Sequence, residues 1–223
     1  MAFAGFKDFF LRLFFDWGAT IYSKKLASGP EAELRRDFLS FVSPKPDDSV
    51  LDVGCGPGWL AIWAAKQAKE VAGCDRSTRI IEVARRNALE AGVTNVSFQT
   101  ADASSLPYLD NSCDVVMATT VMYLLPDAEK GFSELVRAAK PGGWIATLDP
   151  DVSMSPGRMR AYAKSQKMNF KDTAKLVAWT AARIYYLFSE GRLRGLYEKS
   201  GLKNIVLERL LDGMVWFAKG MKP

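Results

Sequence analysis

Between Ser49 and Asp149 the chain alternates between two apolar rhythms. Short, nearly continuous apolar runs recur: SVLDV at 49–53, KEVAGCD at 69–75, NVSFQTAD at 95–102, CDVVMATTV at 113–121 and GGWIATLD at 142–149. Runs of this length, bounded by turn residues, predict strands buried on both faces. Between them lie GWLAIWAAKQAK, STRIIEVARRNALEAG and DAEKGFSELVRAAK, whose apolar residues recur every three or four positions and predict helices. Upstream, EAELRRDFLSFV at 31–42 predicts a helix with Pro30 in its first turn, set off by the breaker SPKPDD.

After Pro150 the rhythm changes. Residues 151–190 offer no strand, but FKDTAKLVAWTAARIYYLF at 170–188 predicts a helix, with Val177, Thr180, Ile184 and Phe188 on one side. The strand-bearing pattern then resumes, with EGRLRGLYEKSG as a helix and KNIVLERLL and GMVWFAKG as strands. The short turn at Asp212-Gly213 predicts that these two strands are antiparallel. Strands alternating with helices at this pace imply an α/β fold, a doubly wound and mostly parallel sheet with helices on both faces. The expected division is a helical N-terminal cap at 1–44, a ligand-binding core at 45–150, a helical lid insertion at 151–190 and the C-terminal part of the core sheet at 191–223.

Composition sharpens this picture at three points. The three cysteines, Cys55, Cys74 and Cys113, are odd in number and lie in or beside apolar runs, which predicts free thiols and a cytoplasmic, reducing setting. Histidine is absent, so no imidazole can ligate zinc or serve as a base near neutral pH. The net charge of +5 is unevenly spread: residues 47–150 carry 9 cations and 14 acids, and residues 151–223 carry 14 and 6. The last third therefore predicts a basic face, suited to an anionic substrate or surface. The N-terminus has six phenylalanines in its first fifteen residues, with Phe3, Phe6, Phe10, Leu13 and Trp17 at helical spacing. Interrupting charges rule out a membrane span there, leaving a lid, a contact with a membrane interface or a contact with a second copy in a homodimer.

The candidate chemistry centres on VLDVGCGPGWL at 50–60. In an open α/β sheet, ligands bind at the carboxyl ends of the strands, and a glycine turn there lets backbone approach the ligand with no Cβ in the way. A dinucleotide site wants G-x-G-x-x-G. Here the glycines are Gly54, Gly56 and Gly58, and Asp52 precedes them. A carboxylate beside the turn would repel a pyrophosphate and could pair with an amine.

The D-x-G-C-G-x-G turn resembles that of the class I S-adenosylmethionine-dependent methyltransferases, most closely the small-molecule branch. The resemblance implies a Rossmann-like fold of seven strands with an antiparallel last strand, and S-adenosyl-L-methionine as cofactor. It assigns the methionine part of the cofactor to Asp52, Gly54, Cys55, Gly56 and Gly58. It assigns the ribose hydroxyls to Asp75, with Arg76 beside it, and the adenine amino group to Asp102, with Ala103 next to it. Thr119, at the end of the fourth strand, would line the sulfonium side, and RAAKPGGWI matches the turn before the fifth strand.

In that reading the cofactor brings the reactivity, and the protein brings orientation and a dry site. A histidine that the small-molecule branch often carries after the fourth strand is replaced here by Leu124, with Tyr123 before it. The acceptor is therefore expected to need little deprotonation. Candidate catalytic helpers are Tyr123, Asp149 and Asp151; no metal site is expected, and Tyr22 is a candidate for closing over the cofactor. Trp179, Tyr185, Tyr186 and Phe188, with the Phe-rich N-terminus, would roof a pocket for a small apolar or amphiphilic acceptor. Arg158, Arg160, Lys164, Lys167, Lys171 and Lys175 would give the roof a positive outside. No nucleic-acid partner is expected; methylation of RNA or protein, or a non-catalytic interaction role on the same fold, are the alternatives.

Overall fold

The computed structural model describes residue 23, residues 26–180 and residues 186–223. The Phe-rich N-terminus, Tyr22, Ile184 and Tyr185 lie outside the described residues, and with them the expectations of a lid, a dimer contact or a membrane contact at the N-terminus. Helix α1 (Pro30–Val42) leads to β1 (Ser49–Val53), α2 (Trp59–Ala64), β2 (Glu70–Asp75), α3 (Thr78–Glu90) and β3 (Val96–Thr100). Then come β4 (Cys113–Thr119), a 3-10 turn at Met122–Leu124, α4 (Ala128–Ala138) and β5 (Ala139–Pro150). The chain ends with α5 (Pro156–Ser165), α6 (Phe170–Trp179), α7 (Glu190–Lys199), β6 (Lys203–Leu210) and β7 (Val215–Met221).

The strands form one seven-stranded sheet in the order β3-β2-β1-β4-β5-β7-β6. The pairs from β3 through β5 are parallel, and β7 runs antiparallel to both β5 and β6. The antiparallel last strand is as expected. The order reverses beside β1, where the chain goes first outward to β2 and β3 and then back to β4. That reversal opens a crevice at the carboxyl ends of β1 and β4.

Strand alternation divides the core between the two faces of the sheet. Leu51, Val53, Val116 and Ala118 face a cluster with Phe132 and Leu135 of α4 and with Leu193 and Tyr197 of α7. Val50, Val115 and Met117 face Phe38 of α1, Leu60 and Ile62 of α2, and Ile81 of α3. The α5–α6 hairpin joins this second cluster through Met159 and Leu176. Among the described residues, no helix is long and apolar enough to cross a membrane.

Two expected elements differ. The helix predicted over 170–188 ends at Trp179, and Phe188 is not on a roof. It is fully buried and forms an isolated parallel bridge with Asp151 beside the sheet. Its apolar spacing with Thr180 thus records burial in the core and not one continuous helix face. Pro141-Gly142-Gly143 is not a turn ahead of β5 but an irregularity within it. Cys113 pairs with Ala139 while Val115 pairs with Trp144, so β5 carries extra residues against β4. Gly142 takes a φ of +78° there, and a Cβ on Gly143 would lie 2.8 Å from the Asp114 carbonyl. Glycine is required for both reasons.

Candidate active site

The turn after β1 is built from left-handed glycines. Gly54, Gly56 and Gly58 have φ of +69°, +53° and +82°, a region that L side chains rarely adopt. A Cβ on Gly54 would run into Val121, and one on Gly58 would lie 2.7 Å from the ring of Phe98 and 3.0 Å from Ala84. The bare backbone is thus demanded by conformation and by close approach. The Cys55 amide donates to the Cys74 carbonyl at 2.9 Å, tying the turn to the end of β2. Buried Asn87 of α3 donates to the Pro57 carbonyl at 2.7 Å and to Ser23 Oγ at 3.0 Å. Burial pushes the Cys55 thiol well up, with the carboxylates of Asp52 and Asp75 adding to it, so the thiol stays protonated.

Asp52 lies on the strand between Leu51 and Val53, which face α4 and α7, so its side chain faces α1 and α2. It is fully buried, and neither carboxylate oxygen has a hydrogen-bond partner. Burial pushes it up to about 8; the Arg35 guanidinium opposes this, Asp75 adds to it, and the Ala61 amide in the first turn of α2 opposes it from outside hydrogen-bond geometry. An unmatched buried carboxylate is costly. A cationic group entering beside the glycine turn would supply what it lacks.

Asp75, at the end of β2, accepts from the Gly56 amide at 3.1 Å and the Ser77 amide at 3.0 Å. Burial raises its pKa, and those amides oppose the rise. Arg76 beside it is exposed. Asp102 is exposed and folds its Oδ1 onto the Ser104 amide at 2.7 Å, next to half-buried Ala103. Thr119 is buried at the end of β4. The structure therefore brings Asp52, the three glycines, Cys55, Asp75 and Thr119 to one end of the sheet, with Asp102 at the end of β3 alongside.

Sequence reasoning missed Arg35 and Thr120, which share a narrow pocket with Gly54, Gly56, Trp59 and Thr119. Arg35, from α1, is only 7% exposed; it donates to the Glu31 carbonyl at 3.2 Å and to Thr120 Oγ1 at 3.3 Å. Thr120 has a φ of +60°, a strained value for a β-branched residue. Its amide donates to the Leu148 carbonyl at 2.7 Å and its hydroxyl to the Thr119 carbonyl at 2.6 Å. In the sequence Arg35 is one cation of a helix and Thr120 one residue of ATTV. Only the fold sets them over the glycine turn.

The three candidate helpers differ in their surroundings. Asp149 is fully buried next to the β4 exit; its Oδ1 accepts from the Tyr123 amide at 3.3 Å and its Oδ2 has no hydrogen-bond partner. Burial pushes it up to about 7, against the Tyr123 amide, the Thr147 hydroxyl and the Arg192 charge. Tyr123 is itself buried in the 3-10 turn. Asp151 is engaged on every side, by Trp216 Nε1 at 2.8 Å, the Ser153 amide at 2.7 Å and Arg209 at 3.3 Å.

Comparison with known proteins shows the family and the fold. A family model described as a methyltransferase domain matches residues 44–201. The demethylmenaquinone methyltransferase of Desulfitobacterium hafniense is 27% identical over 209 residues, covering 89% of this chain and 83% of that protein. The ubiquinone biosynthesis O-methyltransferase of Albidiferax ferrireducens is 33% identical over 113 residues, covering 50% of this chain and 45% of that one. A solved SAM-dependent methyltransferase from Aquifex aeolicus superposes with a TM-score of 0.68 at 19% identity, covering 91% of this chain and 97% of its own, which shows a shared fold. With the glycine turn, the strand-end acids and a family match over more than half its length, the chain belongs to the methyltransferase-domain family, the class I S-adenosylmethionine-dependent methyltransferases.

Proposed function

We propose that this enzyme methylates a small apolar or amphiphilic acceptor, with the cofactor held between Asp52, Asp75, Asp102 and the glycine turn. The observation that carries the cofactor's placement is Asp52, whose two buried oxygens have no partner beside backbone that tolerates no Cβ. Asp52 would take the amino group of the methionine part, and Arg35 would face its carboxylate. Asp75 would turn from the Gly56 and Ser77 amides toward the ribose hydroxyls, and Asp102 and Ala103 would meet the adenine. S-adenosylmethionine, when bound, supplies an electrophilic methyl group on a positively charged sulfur. The chain's own contribution is to align acceptor and donor and keep water out, which can contribute roughly 7–11 kcal/mol.

With no histidine in the chain, the residue we assign to proton handling is Asp149. Its unpartnered Oδ2 and its pKa near 7 suit a group that accepts a proton from an acceptor hydroxyl, with Tyr123 fixing its other oxygen. Asp151, held by Trp216, Ser153 and Arg209, would brace the end of β5 against β7. Relatives named for demethylmenaquinone methylation and for ubiquinone biosynthesis support an apolar acceptor here.

Calorimetry with S-adenosylmethionine and its demethylated product, followed by turnover of prenylated quinols against small hydrophilic amines, tests the reading. Binding of both cofactor forms and faster turnover of the quinols are expected. Turnover should rise with pH through about 7, and Asp149→Asn should remove that rise and lower kcat by about 10²–10⁴. No heat on adding either cofactor form would overturn the cofactor site, and equal turnover of hydrophilic amines would overturn the acceptor class.

A further inference from the structure

The α5–α6 hairpin, residues 156–180, carries Arg158, Arg160, Lys164, Lys167, Lys171 and Lys175 against one acid, Asp172. Asp172 is occupied: it pairs with Lys175 at 3.2 Å and accepts from Asn169 Nδ2 at 2.8 Å. Arg158, though exposed, is occupied by the carbonyls of Ser153 and Asp212. The other four, Arg160, Lys164, Lys167 and Lys171, are exposed and form no ion pair among the described residues. Phe170 opens α6 between two of them, and at 89% it is the most exposed large apolar side chain among the described residues.

This tip is braced by local hydrogen bonds and by buried anchors. Asn169 caps α6 by accepting from the Asp172 amide at 2.9 Å, and its carbonyl accepts from Thr173 Oγ1 at 2.9 Å. Met159, Ala163 and Leu176 anchor the inner side of the hairpin in the core. Four cations that form no ion pair among the described residues set a positive field around the end of the hairpin that exposes Phe170.

We propose that this tip docks on an anionic phospholipid bilayer, with Phe170 entering the boundary between headgroups and acyl chains and Arg160, Lys164, Lys167 and Lys171 lying among the phosphates. The inner apolar face of the hairpin is in the core, so attraction rests on the basic cluster, which the negative potential of an anionic leaflet draws in, with Phe170 as the one apolar side chain free to enter the boundary. A single-stranded nucleic acid would call for several rings on which successive bases stack, and the hairpin exposes one. The hairpin also abuts the start of α1, where a Cβ on Gly29 would lie 2.9 Å from Lys175 Nζ and 3.2 Å from Asp172 Oδ1. That helix also carries Arg35, which lines the pocket, so hairpin and pocket share α1 as a neighbour.

The test is co-sedimentation of the full chain with vesicles of phosphatidylcholine alone and of phosphatidylcholine mixed with phosphatidylglycerol, at low and high salt. Binding to the mixed vesicles only, weakened by salt, is expected. The triple change Lys164→Glu, Lys167→Glu, Lys171→Glu should weaken partitioning by at least roughly fivefold per lysine, and Phe170→Ala by roughly tenfold. Unchanged circular dichroism and cofactor binding would show that both variants are folded. The proposal is overturned if the chain ignores the mixed vesicles, binds phosphatidylcholine alone equally well, or keeps full binding after charge reversal. It is also overturned if a polyuridine oligomer binds the same residues more tightly than the vesicles do.

Discussion

Asp52 is a carboxylate that the fold leaves without a hydrogen bond, and its behaviour with pH follows from that. Its folded pKa of about 8 stands above the ordinary 3.8. The protonated form therefore stabilises the fold fully below about pH 3.8, and that stabilisation is lost as pH rises through about 8. A cationic ligand reverses the preference, because it favours the ionised form. Cofactor binding near pH 7 is expected to release a proton and to tighten up to about pH 8. Calorimetry in two buffers of different ionisation heat should detect that proton. Asp52→Asn should abolish the release and weaken binding about 10- to 100-fold, while its apo stability should exceed that of the parent increasingly as pH rises. Gly58 offers a separate check. At φ +82°, with Phe98 and Ala84 close by, Gly58→Ala should cost about 2–4 kcal/mol, read from the urea midpoint.

At the scale of elements, the connection from β3 to β4 carries Asp102 and Ala103, and α4 holds it in place. Arg137 donates to the Leu106 carbonyl at 3.0 Å, the Tyr108 carbonyl at 2.8 Å and Asp110 at 2.6 Å, while Glu134 accepts from the Leu106 amide at 2.7 Å. Glu134 and Arg137 also pair with each other at 2.7 Å. Arg137→Met should loosen this loop, costing about 2 kcal/mol for the carbonyls left unbonded. The readouts are faster amide hydrogen exchange over residues 103–112 and weaker cofactor binding with little change in the β1 turn. The elements themselves were legible because runs such as SVLDV and CDVVMAT are buried on both faces and show it as unbroken apolar stretches. The glycine turn was legible because three glycines in five residues have no other economical explanation. What could not be read was anything made by packing between distant segments. Arg35 reaches Thr120 across 85 residues of sequence, and Phe188 looks like a helix-face residue until Asp151 is seen beside it.

On the scale of the whole molecule, β7 lies between β5 and β6 although it follows both in the chain. Seven residue pairs join it to β5, from Trp144 and Met221 to Pro150 and Val215. Until β7 arrives, β5 presents an unpaired edge flanked by Ile145, Leu148 and other buried apolar side chains. The pairing is among the longest-range in the fold and closes late for that reason. Refolding from denaturant is thus expected to lose yield steeply as protein concentration rises, through β5 edges that meet across molecules before β7 caps them. A Lys substituted for Phe217, which would weaken capture of β7, should aggravate the loss; a yield independent of concentration in both proteins would contradict this. The same insertion makes the strand that carries Asp149 the last part of the parallel sheet to gain its second neighbour, so a chain stalled at that stage could display a glycine turn and still have no finished floor on which to do chemistry.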